Sequence, residues 1–144
     1  MTVMAERCYI SQIAEIEGQA FADPWSEKSL ESALSEENAI FLADVNDGEV
    51  RGYIIGSCDG FSGYIARIAV SAAHRKKGIG TQLLSAFVKA LPETAEDISL
   101  EVRASNSPAI ALYGSFGFER AGVRRNMYSS PKEDGIVMIK KVIK

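Results

Sequence analysis

Hydrophobic residues recur along this chain with two different periods, and the change of period divides it into helices and strands. A period of three to four residues predicts four helices, at residues 11–21, 27–34, 80–91 and 108–116. Short apolar runs and apolar–polar alternation predict seven strands, at residues 7–10, 39–45, 50–58, 64–70, 98–103, 118–123 and 135–142. The predicted order of elements is therefore β-α-α-β-β-β-α-β-α-β-β.

Turn signals between the predicted strands indicate how they are connected. Asn46-Asp47-Gly48 is a strong hairpin signal, and Gly60, Ser62 and Gly63 mark a second turn. Two antiparallel connections in a row predict a meander, whereas the later strands are separated by helices that favour crossovers. The predicted fold class is α/β with a mixed sheet. Because no repeat or Pro/Gly-rich linker interrupts residues 1–144, we expect one domain.

Composition and charge exclude several classes of protein. With 47% hydrophobic and 24% charged residues, the chain has the composition of neither a disordered nor a fibrous protein. No apolar run approaches the roughly 18 residues of a membrane span, and Met1–Arg7 leads into no apolar signal core. We therefore expect a cytosolic protein with no membrane partner. The net charge of −3 argues against direct binding of nucleic acid.

Cysteine and histidine are too scarce for most metal and thiol chemistry. Cys8 and Cys58 lack C-x-x-C spacing, so we expect two buried thiols and neither a zinc knuckle nor a redox pair. His74 is the single histidine, which excludes a His-rich metal site and leaves one candidate for a Ser-His-Asp mechanism. We expect His74 to be exposed and not catalytic, and we predict no metal.

The most informative stretch is a basic, glycine-rich turn between a predicted strand and a predicted helix. It reads Arg75-Lys76-Lys77-Gly78-Ile79-Gly80-Thr81. Glycines allow a ligand to approach the backbone closely, and the first N–H groups of a helix attract an anion. The three basic residues add positive charge beside those groups. The pattern predicts a site for a phosphate or pyrophosphate.

The turn alone does not specify which kind of phosphate ligand it binds. A Walker loop requires a lysine after its second glycine, and Gly80 is followed by Thr81. The dinucleotide fingerprint matches at Gly78 and Gly80, with Glu101 about 20 residues further on. However, Leu83 occupies the third glycine position and a meander precedes the turn. A further alternative is that this is a basic, glycine-rich turn that binds no ligand.

Three blocks of sequence together resemble one known family. They are Phe21-Ala22-Asp23-Pro24-Trp25-Ser26, Ile68-Ala69-Val70 through Gly80, and Leu100 through Asn106 on to Tyr113-Gly114-Ser115-Phe116-Gly117-Phe118. In the second block, Arg75-x-x-Gly78-x-Gly80 is similar to the acetyl-CoA signature Q/R-x-x-G-x-G/A of the GNAT acetyltransferase superfamily. All three resemble its RimI-type ribosomal-protein alanine N-acetyltransferases. The resemblance implies the GNAT fold and acetyl-CoA as cosubstrate, with its pyrophosphate held by Arg75, Lys76, Lys77, Gly78, Ile79, Gly80 and Thr81.

Acetylation of an amine requires a base and an acid. An α-ammonium has a pKa near 7.7–8.0 and must lose a proton before it attacks a thioester, and protonation helps the thiolate to leave. Glu101 lies on the polar side of its predicted strand, where it also fits a glutamate paired with a neighbouring cation. Tyr113 lies on an apolar helix face and also fits a core tyrosine. The resemblance implies that Glu101 is the general base and Tyr113 the general acid.

The resemblance also implies which groups hold the pantetheine arm. Three consecutive residues would bind it through their main chain, almost as an added strand: Ile68, Ala69 and Val70. Asn106 would contact it too, although this asparagine also fits a turn residue. We expect Ser107 to be the N-cap of the following helix, which would leave Asn106 outside the cap. A loop at Ser129–Asp134 is expected to contact the acceptor.

The expected function is transfer of the acetyl group of acetyl-CoA to the α-amine of a protein N-terminus, with the N-terminal alanine of a ribosomal protein as the expected acceptor. One alternative keeps this chemistry but acts on a small-molecule amine or a lysine side chain. Another is a non-catalytic module that binds coenzyme A. A nucleic-acid binder is the weakest alternative, because the basic clusters are short and the chain is otherwise acidic. The oligomeric state does not follow from the sequence.

Overall fold

The computed structural model describes residues 1–142, in which helices flank a seven-stranded sheet. The strands are β1 (Thr2–Met4), β2 (Ala39–Asn46), β3 (Glu49–Cys58), β4 (Ser62–Val70), β5 (Asp97–Arg103), β6 (Glu119–Ser129) and β7 (Lys132–Lys141). The helices are α1 (Ile10–Ala20), α2 (Glu27–Leu34), α3 (Ile79–Ala90) and α4 (Ser107–Ser115), with short 3-10 turns at Arg7–Tyr9 and Ala72–His74. The predicted order of elements and the mixed α/β class are confirmed. No helix within residues 1–142 is long and apolar enough to cross a membrane.

The strands lie in the order β1-β2-β3-β4-β5-β7-β6. Neighbouring strands are antiparallel except β4 and β5, which run parallel. This parallel pairing is short, because it joins Ser62–Ile65 to Asp97–Leu100 and then stops. Beyond Ile65, β4 keeps β3 on one side while its other edge has no β5 partner. The sheet is therefore open between the second halves of β4 and β5.

Each face of the sheet packs against its own pair of helices. Successive residues of a strand point to opposite faces, so in β3 the side chain of Ile54 joins the core beneath α3 and α4, whereas Tyr53 joins the core beneath α1 and α2. Phe87 of α3 and Leu30 of α2 are fully buried, one in each core. This two-sided burial explains why the middle strands contain long apolar runs.

The predicted strand at Arg7–Ile10 is wrong. Arg7–Tyr9 forms a 3-10 turn, and Ile10 is already the first residue of α1. The first strand is instead Thr2–Met4, which pairs with β2 at the edge of the sheet. Three residues are too few to produce a clear alternation. The apolar Ile10 belongs to the buried face of α1 together with Ile13.

The sequence predicts the hairpin turn between β2 and β3 correctly but not the turn between β6 and β7. Asp47 and Gly48 both have positive φ, 51° and 80°, as the two central residues of a type I′ hairpin require. The predicted loop at Ser129–Asp134 is wrong, because β6 continues to Ser129 and β7 begins at Lys132, with only Ser130 and Pro131 between them. The predicted strand at residues 118–123 covers only the first part of β6. Nearly every residue of β6 is exposed at the sheet edge, so no apolar alternation marks its second half.

Candidate active site

A pocket of about 410 Å³ lies where β4 and β5 stop pairing. Side chains from both faces of the sheet reach it, since Tyr113 belongs to the core beneath α3 and α4, whereas Phe21 packs against the core beneath α1 and α2. The pocket brings together four of the predicted site residues: Ile68, Glu101, Asn106 and Tyr113. The other predicted site residues, at positions 69–70 and 75–81, lie outside its lining.

Glu101 is held by two neighbours through its two carboxylate oxygens. Tyr64 donates a hydrogen bond from its hydroxyl to Oε1 at 2.7 Å, and Arg124 donates to Oε2 and forms an ion pair there. The Glu101 side chain is only 12% exposed, whereas that of Arg124 is 62% exposed. The carboxylate is therefore both a pocket-lining group and, as the sequence also allowed, the partner of a cation.

The sequence reasoning missed both partners of Glu101. The register of the sheet explains their approach, because Tyr64 lies opposite Ser99 on β5 and Arg124 lies opposite Gly135, which in turn faces Arg103. These pairings join residues far apart in the chain. No local spacing signals them, so the sequence alone could not have found them.

Tyr113 lies on the wall of the pocket formed by α4. Its side chain is buried, and its ring packs edge-on against Phe118 with the ring centroids 5.8 Å apart. Burial, and secondarily the nearby Tyr128 hydroxyl, raises the pKa of Tyr113 well above its ordinary value. The phenol therefore keeps its proton at neutral pH. It is both the core tyrosine that its helical face predicts and a protonated phenol on the pocket wall.

Asn106 is the N-cap of α4, so the prediction that Ser107 caps this helix is wrong. The Oδ1 atom of Asn106 accepts a hydrogen bond from the N–H of Ala109 at 3.3 Å, and Ser107 is the first helical residue. Proline fits either of the first two positions of a helix, so Pro108 locates the cap only to within one residue. One oxygen of Asn106 is thus engaged in structure, while the residue still lines the pocket.

The glycine-rich turn forms the N-terminus of α3, as predicted. Gly78 is the N-cap, with φ of +81°, a left-handed conformation in which a side chain is strained. The first helical hydrogen bond runs from the N–H of Gln82 to the carbonyl of Gly78. The N–H groups of Ile79, Gly80 and Thr81 precede that bond and have no carbonyl partner within the helix. Arg75, Lys76 and Lys77 are exposed beside them.

Helix α4 lies next to both the glycine-rich turn and the pocket. A Cβ atom added to Gly80 would lie 3.0 Å from Cδ2 of Leu112, so glycine permits a close packing of α3 against α4. Leu112 immediately precedes Tyr113. The predicted anion site and the pocket therefore both adjoin α4.

The turn between β6 and β7 is attached to the loop that leads into α4. Arg103 donates to the carbonyls of Ser130 and Pro131 at 3.1 and 2.9 Å and forms an ion pair with Glu133 at 3.4 Å. Glu133 also accepts a hydrogen bond from the N–H of Ser105 at 2.5 Å. Hydrogen bonding from Ser105, together with Arg103, holds the pKa of Glu133 below its ordinary value. Pro131 and Glu133 consequently form a fixed part of the pocket wall.

The first three residues of the Phe21–Ser26 block, Phe21 to Asp23, form another wall of the pocket and are held by an arginine of β4. Arg67 donates to the carbonyl of Asp23 at 2.9 Å, and its guanidinium carbon lies 4.1 Å from the centre of the Phe21 ring. It also forms an ion pair with Glu17, which is fully buried. Glu17 lies four residues after Ile13, on the apolar face of α1, and this position is the one sequence signal for its burial.

Two predictions about reactive side chains need correction. Cys58 is buried as expected, but Cys8 is exposed in the turn before α1. His74 is partly buried rather than exposed, with Nε2 at 3.3 Å from Glu49 and Nδ1 at 3.4 Å from Nζ of Lys77. Neither cysteine lines the pocket, and neither does His74. The carboxyl groups that line the pocket are those of Asp23, Glu101 and Glu133, and the phenols are those of Tyr113 and Tyr128.

Comparisons of the sequence and of the structure with known proteins indicate the same family. Residues 10–118 match the acetyltransferase (GNAT) family. An N-alpha-acetyltransferase of Sulfurisphaera tokodaii is 40% identical, over 90% of this chain and 85% of that protein. The ribosomal protein bS18-alanine N-acetyltransferase of Escherichia coli is 37% identical, over 85% of this chain and 84% of that protein. A crystal structure of the ribosomal-protein-S18-alanine N-acetyltransferase from Escherichia coli superposes with a TM-score of 0.90 at 31% identity, covering 100% of this chain and 94% of that one.

Proposed function

The chain belongs to the acetyltransferase (GNAT) family, and from that premise we propose that it acetylates the α-amine of protein N-termini, with the N-terminal alanine of a ribosomal protein as its acceptor. One observation carries the proposal: Glu101 and Tyr113 line the same pocket, at the opening between β4 and β5. The names of two relatives, an N-alpha-acetyltransferase and a ribosomal protein bS18-alanine N-acetyltransferase, support the choice of acceptor.

The proposed reaction is a direct transfer without an acyl-enzyme. The amine nitrogen attacks the thioester carbonyl of acetyl-CoA, the new C–N bond forms, and the C–S bond breaks. Glu101 takes one N–H proton from the amine, and Tyr113 gives its proton to the departing sulfur. The products are the acetylated N-terminus and coenzyme A with a free thiol. With its pKa raised by burial, the Tyr113 phenol is protonated at neutral pH and so has a proton to give.

The cosubstrate is held mainly by main-chain groups in this proposal. The free N–H groups at the start of α3 and the adjacent basic residues would bind the pyrophosphate. The unpaired edge of β4 supports the expected strand-like binding of the pantetheine arm, along Ile68, Ala69 and Val70. An N–H group of that edge would stabilise the negative charge that develops on the thioester oxygen. Because Oδ1 of Asn106 caps α4, its amide Nδ2 is the atom available to the arm.

Turnover with two peptides of one sequence tests the acceptor. One peptide carries a free N-terminal alanine and a blocked lysine, and the other a blocked N-terminus and a free lysine. We expect release of coenzyme A thiol from acetyl-CoA with the first peptide only. Turnover with the second peptide alone would contradict the assignment of an α-amine acceptor while leaving an acetyltransferase in place.

A substitution of the proposed base tests the mechanism. We expect Glu101→Gln to lower kcat by about 10²- to 10⁴-fold, because the amide cannot take a proton, while acetyl-CoA binds as before. The matched control is Glu119→Gln, which makes the same change at an exposed position at the start of β6. Unchanged turnover in Glu101→Gln would refute the role of the base.

A further inference from the structure

The proposed base is fully engaged before any acceptor is bound. One oxygen of Glu101 accepts from Tyr64 and the other from Arg124, so a cation already lies where an acceptor ammonium would make its ion pair. Arg124 is exposed to solvent over most of its side chain, whereas Glu101 is not. The arginine is therefore the partner that has room to move, and the carboxylate is fixed.

The charged and titratable groups around Glu101 come from every neighbouring strand. Those that face it or share its pocket are Asp23 before α2, Tyr64 and Arg67 of β4, Arg103 of its own strand, Tyr113 of α4, Arg124 and Tyr128 of β6, and Glu133 of β7. Three of these are arginines, which stay protonated at every pH at which enzymes work. Glu133 is paired with Arg103. Arg67 is likewise paired with Glu17. The charge that a second cation meets at the Glu101 carboxylate is therefore that of Arg124.

This inference rests on the proposed function. We propose that Arg124 is a positioning residue that keeps ammonium groups off Glu101, so that the acceptor enters the pocket as a neutral amine with its proton already released to water. The guanidinium competes with the ammonium for Oε2 and repels it, whereas a neutral amine meets no such repulsion. Glu101 then receives the proton that the nitrogen releases as the C–N bond forms.

The proposal has a consequence for the two kinds of amine in proteins. With pKa values near 7.7–8.0, roughly one tenth to one sixth of free α-amines are neutral at pH 7. A lysine side chain with a pKa near 10.4 is neutral only about once in 2,500 molecules. Arg124 thus leaves the base open to α-amines and prevents the far more abundant lysine ammonium groups from occupying it as an unproductive ion pair.

Peptide binding to the enzyme loaded with coenzyme A, which cannot react, tests the proposal. Calorimetry at low salt measures the affinity for a peptide with a free N-terminal alanine at pH 6.5, where the amine is charged, and at pH 9, where it is neutral. For Arg124→Ala we expect the affinity at pH 6.5 to rise between about two-fold and five-fold, with no rise at pH 9. Arg124→Lys should behave as the unaltered protein does.

Two controls separate the charge effect from other causes. Arg125→Ala removes the same charge from the next, exposed residue of β6 and should leave both affinities unchanged. The N-acetylated peptide has no charge at either pH and should bind Arg124→Ala and the unaltered protein equally.

The outcomes distinguish this inference from the proposed function. An unchanged or weaker affinity of Arg124→Ala at pH 6.5, or an equal gain for the N-acetylated peptide, would overturn the role of Arg124 while acetylation of α-amines by the unaltered protein stands. If the unaltered protein acetylates no α-amine peptide, the proposed function fails and this inference fails with it.

Discussion

Arg67 of β4 forms an ion pair with Glu17 of α1, with 3.4 Å between Nε and Oε1. The Glu17 carboxylate is fully buried and also accepts hydrogen bonds from the Tyr53 hydroxyl at 2.5 Å and from the N–H of Trp25 at 2.7 Å. A buried carboxylate is stable only when such partners compensate for its lost hydration. Four parts of the chain, namely α1, β3, β4 and the Phe21–Ser26 segment, are therefore joined at one charged group beside the pocket.

Loss of the Arg67 charge should damage both stability and acceptor binding. We expect Arg67→Met to lower the free energy of unfolding by about 3 kcal/mol, because Glu17 loses its cation, and to raise KM for the acceptor peptide more than KM for acetyl-CoA. Urea unfolding and steady-state kinetics measure the two effects. Arg51→Met is the matched control, since Arg51 pairs with the buried Asp44 away from the pocket. It should destabilise the protein without selective loss of acceptor binding, and the same KM pattern in both variants would contradict the prediction.

The buried Tyr53 should make the fold sensitive to alkali. Burial, and secondarily the hydrogen bond to Glu17, raises the pKa of Tyr53 above the ordinary value of 10. A tyrosine in the unfolded chain releases its proton first, so the stabilising contribution is complete below pH 10 and is lost as pH rises above it. The slope from this one group reaches about 1.4 kcal/mol per pH unit. We expect Tyr53→Phe to unfold less steeply with pH above 10, and an identical slope would contradict the assignment.

Two glycine substitutions should have opposite effects. Gly78 has a positive φ, so Gly78→Ala should lower the free energy of unfolding by about 1–2 kcal/mol and raise KM for acetyl-CoA by distorting the start of α3. Gly18 lies within α1, and a Cβ atom there meets nothing within 4 Å. Gly18→Ala should therefore stabilise the protein by about 0.5–1 kcal/mol. Thermal unfolding and acetyl-CoA kinetics check both, and a silent Gly78→Ala would argue against the left-handed cap.

The oxygen and the amide nitrogen of the Asn106 side chain should have separate roles, the first in stability and the second in binding acetyl-CoA. Asn106→Asp keeps an oxygen for the cap of α4 but removes the amide donor, so we expect normal stability and a higher KM for acetyl-CoA. Asn106→Ala removes both and should in addition lower the free energy of unfolding by about 1 kcal/mol. If Asn106→Asp binds acetyl-CoA normally, the amide has no part in holding the cosubstrate.

Much of the fold was predictable because its signals are local. The Asp47-Gly48 turn, the helix at residues 27–34 and the glycine turn before α3 each depend on a few adjacent residues, and the structure has each where it was predicted. The failures lie where local signals are weak. The three-residue strand Thr2–Met4 is too short to show a period, and the exposed second half of β6 has no apolar side to mark it.

The features of the site likewise divide into those that local sequence predicts and those that depend on the tertiary structure. From the residues and a family resemblance, the sequence by itself determined that Glu101 would lie on the polar side of a strand, that Tyr113 would lie on a buried helix face, and that a glycine turn would begin α3. Only the tertiary structure decided that Arg124 and Tyr64 hold Glu101 and that Arg67 reaches Glu17. Periodicity reports which way a side chain points relative to its own element. Which partner it meets depends on strand register and on the packing of distant segments, and no short stretch of sequence carries that information.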